Sequence, residues 1–84
     1  MRKEVVLITG ANGEIGHGLI EYLGETCGMD IVAIDVAPLD ESIRKFCVRF
    51  VQGDILDGML LGRLVAEYDI RTIYHLASIL STKA

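Results

Sequence analysis

Three runs rich in Val and Ile, Glu4–Thr9, Ile31–Asp35 and Thr72–Ala77, are almost continuously apolar instead of alternating. A strand with one face in water alternates polar and apolar side chains. A continuous run has to be covered on both faces, as in a parallel sheet held between helical layers. A fourth run, Val48–Gln52, carries Arg49 and therefore belongs nearer an edge. The segments between the runs have helical spacing. Ile15, Leu19, Tyr22 and Leu23 recur along a stretch from Glu14 to about Glu25, with Glu21 and Glu25 on other faces. Leu60, Leu61, Leu64, Val65 and Tyr68 form one stripe of Gly58–Tyr68, and Asp57 stands where an N-cap is needed. Leu39, Ile43 and Phe46 fit a short helix over Asp40–Phe46, after Pro38. The predicted order is β-α-β-α-β-α-β. Parallel neighbours need crossovers of this length, so the expected fold is an α/β domain in three layers, helix, sheet and helix.

Between the first run and the first helix, residues 8–18 contain four glycines, Gly10, Gly13, Gly16 and Gly18. Glycine weakens regular structure, and a cluster of it marks a place where something approaches the backbone. A turn that leaves a strand and opens a helix gathers unpaired N–H groups and the positive end of the helix dipole, which suits a phosphate or diphosphate. The spacing is Gly10-x-x-Gly13-x-x-Gly16, and no Gly-Lys-Ser/Thr follows, so a P-loop kinase or ATPase is a poor reading. By analogy with dinucleotide-binding turns, Gly10 makes the tight turn, Gly13 admits the diphosphate and Gly16 lets helix and strand touch. Gly18 reads as a tolerated helix glycine, at about 1 kcal/mol against alanine. Asp35 ends the second run nineteen residues after Gly16, where a carboxylate can accept from the adenosine ribose hydroxyls. Val36, Ala37 and Pro38 follow it, with no cation to neutralise a 2′-phosphate. NAD is therefore the expected cofactor over NADP, and the fold is of the Rossmann type.

Composition removes several other classes. Hydrophobic residues make up 51% of 84 residues with one proline, which excludes a disordered chain and leaves room for one domain at most. The net charge is −4 and the eight basic residues are scattered, so no basic stripe exists to follow a phosphate backbone, and nucleic acid is not an expected partner. Cys27 and Cys47 form no CxxC pair and read as reduced, buried thiols, with no metal site. Val5–Ile8 is too short for a signal-peptide core or a membrane span, so the expected location is cytoplasmic.

Thr9-Gly10-Ala11-Asn12-Gly13-Glu14-Ile15-Gly16 resembles the TGxxGxxG motif of the short-chain dehydrogenases/reductases, in particular their extended branch, the NAD-dependent epimerases and dehydratases. Gly53-Asp54-Ile55-Leu56-Asp57 is similar to the family's GD(I/L/V)xD segment, and Tyr74-His75-Leu76-Ala77-Ser78 to its hHLAA strand end, with Ser78 in place of the usual alanine. The run from His75 to Ser81 is similar to the L-threonine dehydrogenase-like group. The resemblance implies that Asn12, Glu14 and Ile15 join the three glycines and Asp35 around NAD. It implies that Asp54 and Ile55 meet the adenine, and that Leu76 and Ala77 line the path to the nicotinamide ribose. Against this, Asp54 can equally cap the turn after the third strand, and His75 reads as a core histidine with its hydrogen bonds met.

The resemblance further implies a catalytic Tyr-x-x-x-Lys pair, and these 84 residues contain none: Tyr22, Tyr68 and Tyr74 are followed at that offset by Thr26, Thr72 and Ser78. The chain therefore reads as the first half of a Rossmann sheet, strand order 3-2-1-4, forming over residues 1–84 the N-terminal portion of an NAD-binding domain without its catalytic and substrate-binding part. Two readings stay open: the cofactor-binding portion of an epimerase, dehydratase or dehydrogenase, or a stand-alone, non-catalytic nucleotide-binding or assembly module. In either, the outer edge of Thr72–Ala77 is expected to be covered, by self-association or by the missing remainder.

Overall fold

The computed structural model describes residues 2–76, in which four strands form one parallel sheet of order β3-β2-β1-β4. In chain order these are β1 Lys3–Thr9, α1 Glu14–Glu21, a π-helical continuation over Tyr22–Thr26, β2 Ile31–Asp35, α2 Glu41–Arg44, β3 Cys47–Gln52, α3 Gly58–Glu67 and β4 Tyr68–His75. The strand order is that of half a Rossmann-type sheet, with the two central strands first in sequence.

Both faces of β1 and β2 are buried, as their unbroken apolar runs require. On one face Val6, Ile8, Ile31 and Ala33 pack with Ile20 and Leu23 of the first helix and with Leu39 and Ile43 around α2. On the other, Val5, Leu7, Val32 and Ile34 pack with Leu64 of α3. This is the three-layer arrangement. Ile8, Ile20, Ile31 and Val32 are wholly excluded from water, each contributing about 1.5–3 kcal/mol of burial free energy. Among the described residues β3 is an edge strand, paired with β2 alone, and its Arg49 reaches Glu67 of α3 at 2.6 Å.

Several expectations are corrected. The buried side of α1 is Gly16 and Ile20, continued by Leu23, with Leu19 half-buried, while Ile15 and Tyr22 are both 57% exposed. The glycine turns out to mark the contact face, because without a side chain Gly16 can lie directly on the chain beneath. Tyr68 is not part of the α3 stripe. The helix passes straight into β4 there, with Tyr68 already extended at φ −124°, and Val65 faces solvent. β4 begins four residues before the expected Thr72, since Asp69 and Arg71 interrupt the apolar pattern. They bond to each other at 2.9 Å, and the register with β1 slips there, Val5 facing Ile70 and Val6 facing Thr72, so that Arg71 is bulged out. Nor is β4 covered on both faces. Tyr68 and Ile70 pack beside α3, but residues 71–75 are exposed, Ile73 at 60%.

Cys27, expected to be buried, is exposed at the turn where Gly28 takes φ +64°. Cys47 is half-buried, and burial pushes its thiol up to about 11. Both are free.

Candidate nucleotide-binding site

The site starts from a backbone constraint at Gly10. Its φ of +69° lies in the left-handed region, and among the described residues only glycines adopt positive φ. This turn lets the N–H groups of Gly10 and Ala11 both donate to the Ile34 carbonyl, at 2.9 and 3.3 Å, which ties the loop to the end of β2. The loop then closes through Gly13 N–H on the Gly10 carbonyl at 3.4 Å. Gly13 is the N-cap of α1, in extended backbone, and has no side chain with which to cap it. The first-turn amides of Glu14, Ile15 and Gly16 have no acceptor inside the helix, so they remain available to an anion at its end.

Gly16 has a different role from the one expected. A Cβ built on it would lie 2.7 Å from the Ala11 carbonyl carbon and 2.8 Å from its Cα, so at this glycine the helix lies on the turn that follows the strand. Ala11 is fully buried under it. Gly10 and Gly16 thus hold the loop flat against the sheet by two distinct means, one conformational and one steric.

Asp35 points at this loop. Its Oδ2 accepts from Asn12 N–H at 2.8 Å and its Oδ1 from Ala37 N–H at 2.9 Å, while its own carbonyl accepts from Gly53 N–H at 2.9 Å. One residue therefore joins the ends of β1, β2 and β3. Asp54 follows Gly53, and its Oδ1 accepts from Leu56 N–H at 2.9 Å, the turn-capping role weighed against ligand binding. Together these ends enclose a groove of about 240 Å³ bounded by Thr9, Gly10, Asp35, Val36, Asp54 and Ile55. That is slightly under the roughly 300–1,000 Å³ of sites for whole drug-sized ligands and fits a nucleoside-sized portion of one. Among the described residues that line it none is basic and two are acidic, a poor setting for an added phosphate monoester.

Of the predicted residues, Gly10, Asp35, Asp54 and Ile55 line the groove, and Asn12, Gly13, Glu14, Ile15 and Gly16 form the adjoining loop and helix start. Leu76 is half-buried, packs on the core and donates its N–H to the Thr9 carbonyl at 3.0 Å. Ala77 lies outside the described residues, as does most of the run from His75 to Ser81. Thr9, Ile34, Val36 and Gly53 also line the groove, although none was expected to bind. Thr9 could have been found as the polar residue closing an apolar strand. His75 is not in the core: it is exposed at the end of β4, although its Nδ1 and the Thr9 hydroxyl share a hydrogen bond of 2.7 Å.

A model of the NAD dependent epimerase/dehydratase family matches residues 6–84. The chain belongs to this epimerase/dehydratase family. Among its relatives, UDP-glucose 4-epimerase of Pasteurella multocida (strain Pm70) is 34% identical over 83 residues, covering 88% of this chain and 24% of that protein. Short-chain dehydrogenase/reductase family 42E member 1 of Macaca fascicularis is 32% identical over 77 residues, covering 92% of this chain and 19% of that protein. A solved structure, MoeE5 in complex with UDP-glucuronic acid and NAD, is similar at a TM-score of 0.67 and 35% identity, covering 86% of this chain and 22% of that one. The chain thus spans 19–24% of the length of these relatives. The family's cofactor is NAD, and the donor set fits part of it. Bare amides at a helix start suit a diphosphate, a carboxylate suits vicinal hydroxyls, and Ile34, Val36 and Ile55 offer apolar walls to a base.

Proposed function

We propose that this epimerase/dehydratase-family chain holds the adenosine diphosphate half of NAD across the carboxyl ends of β1, β2 and β3, as the cofactor-binding portion of an oxidoreductase for nucleotide-sugar or small hydroxy substrates. When bound, NAD supplies a hydride acceptor. The residues of this chain bind and orient it. Gly13 and the amides of Glu14, Ile15 and Gly16 receive the diphosphate, Asp35 accepts from the ribose hydroxyls, and Asp54 with Ile55 borders the adenine. The observation that carries this reading is the Asp35 carboxylate, already aimed at the glycine loop through Asn12 at 2.8 Å. These 84 residues hold no Tyr-x-x-x-Lys, and their part in the reading is to bind the cofactor. We further place it in the cytoplasm, in keeping with its two free thiols, and infer that the outer edge of β4 is covered by association. No helix among the described residues is long and apolar enough to cross a membrane.

Titration calorimetry tests the site. NAD is expected to bind more tightly than NADP, and Asp35→Ala to weaken NAD by roughly tenfold or more, the loss of two hydrogen bonds to an ionised acceptor. Gly13→Val, which puts a branched side chain where the diphosphate rests, weakens it as well. Unchanged affinity in both variants rejects the site.

A further inference from the structure

In the glycine loop Asn12 is followed directly by Gly13. In such a pair the main-chain nitrogen of the glycine can attack the side-chain carbonyl carbon of the residue before it, because no Cβ blocks the approach. The sequence holds one Asn-Gly pair and one Asp-Gly pair, Asp57-Gly58, open to the same attack. The fold treats them differently. Asp57 caps α3, and its Oδ1 is held by the N–H groups of Met59 and Leu60 at 3.0 and 3.3 Å. Asn12 is exposed, and among the described residues no hydrogen bond holds its side-chain amide. The attacking group is loosely held as well. Gly13 N–H reaches the Gly10 carbonyl only at 3.4 Å, beyond the usual range, and stands at the positive end of α1, where loss of its proton is eased. The main chain of Asn12 is meanwhile pinned to Asp35 at 2.8 Å, which keeps the pair presented at the loop's surface.

We propose that Asn12-Gly13 is a deamidation site whose products close the diphosphate position. The Gly13 nitrogen gives its proton to water and bonds to Cγ of Asn12. The Cγ–Nδ2 bond breaks, Nδ2 takes up a proton and leaves as ammonia, and a succinimide remains. Water then opens the ring at either carbonyl to give aspartate or isoaspartate, with nothing oxidised or reduced. Either product adds a negative charge beside Asp35 and next to the amides of Glu14, Ile15 and Gly16, where it competes with a diphosphate for the helix start. Isoaspartate also lengthens the main chain by one carbon, which moves Gly13 away from the Gly10 turn. A bound diphosphate covers the pair, so occupancy protects it. The chemical step stands without the NAD reading given above, whereas its effect on binding rests on that reading.

The full chain, aged at neutral pH with and without saturating NAD, is mapped by mass spectrometry of its peptides, and its affinity for NAD is measured by calorimetry. Conversion is expected at residue 12 and not at residue 57, slowed several-fold by NAD and several-fold in Gly13→Ala, whose methyl group hinders the attack. The converted protein, separated by charge, and Asn12→Asp are expected to bind NAD roughly tenfold more weakly, the worth of one hydrogen bond to a charged group. Absence of conversion at residue 12 in the folded chain overturns the proposal, as does equal conversion at residues 12 and 57. Conversion equally fast under NAD, or full affinity in the converted protein while Asp35→Ala binds weakly, overturns its link to the diphosphate position. Failure of the NAD reading is distinguishable: there Asp35→Ala and Gly13→Val bind NAD like the unsubstituted chain, and the peptide map still decides the modification.

Discussion

Gly16 and Gly18 stand two residues apart on the same helix and answer to opposite demands. A methyl group on Gly16 runs into the backbone of Ala11, which is itself buried and cannot retreat, whereas Gly18 has nothing within 4 Å of the corresponding position. Gly16→Ala is therefore expected to destabilise the fold by about 1–3 kcal/mol through overpacking and to disturb the loop above it. Gly18→Ala is expected to stabilise by up to about 1 kcal/mol, since alanine restricts the unfolded chain and prefers helix. Urea midpoints of the two variants should move in opposite directions, and movement in the same direction refutes the steric distinction. At this scale the TGxxGxxG spacing identified the residues but not the partner of Gly16, because the partner is a carbonyl only five residues earlier that comes within reach once Gly10 has reversed the chain.

The helices differ in how they begin, and this follows from what lies in front of each. α3 is capped by Asp57, whose Oδ1 accepts from Met59 N–H at 3.0 Å and Leu60 N–H at 3.3 Å. α2 is capped likewise by Asp40 through Ser42 N–H at 2.8 Å. α1 alone of the three starts from a glycine without a side-chain cap, and it alone opens on the groove's loop. Replacing Asp57 by Ala should lower stability by about 1 kcal/mol, seen as a lower thermal midpoint, with NAD affinity unchanged. A loss of NAD binding in that variant would assign Asp57 to the site. The Asp57 cap was readable from its place before apolar periodicity, whereas Asp40, expected as the first residue of its helix, proves to be the cap in front of it. The π-helical stretch Tyr22–Thr26 was not readable, since its widened turn answers to packing: a Cβ on Gly24 would lie 2.5 Å from Cβ of Phe46, so the segment lies directly against the chain entering β3.

In the molecule as a whole, the sheet has two unlike edges. β3 presents a short edge strand carrying Arg49, a feature that discourages further pairing, whereas β4 presents eight residues with Ile73 and Tyr74 exposed beside it. The chain is expected to self-associate through this side, and Ile73→Lys to shift sedimentation toward monomer at a given concentration. Identical profiles for the two proteins would show that β4 is not the contact.

The periodicity of apolar residues was enough to establish an α/β domain, its order of elements and the two buried central strands, but not the cover of Thr72–Ala77, whose described residues are largely exposed at the sheet edge. Glycine spacing and the acid at position 35 likewise located the loop and its companion, since positive φ and close approach exclude other side chains locally. The meeting of Asp35 with Asn12, the contact of Gly16 with Ala11, the bulge at Arg71 and the Thr9–His75 bond required the folded molecule. Strand register brings Asp35 to Asn12 and His75 to Thr9 across long stretches of chain and sets the bulge at Arg71, whereas Gly16 meets Ala11 because the turn at Gly10 folds the chain back.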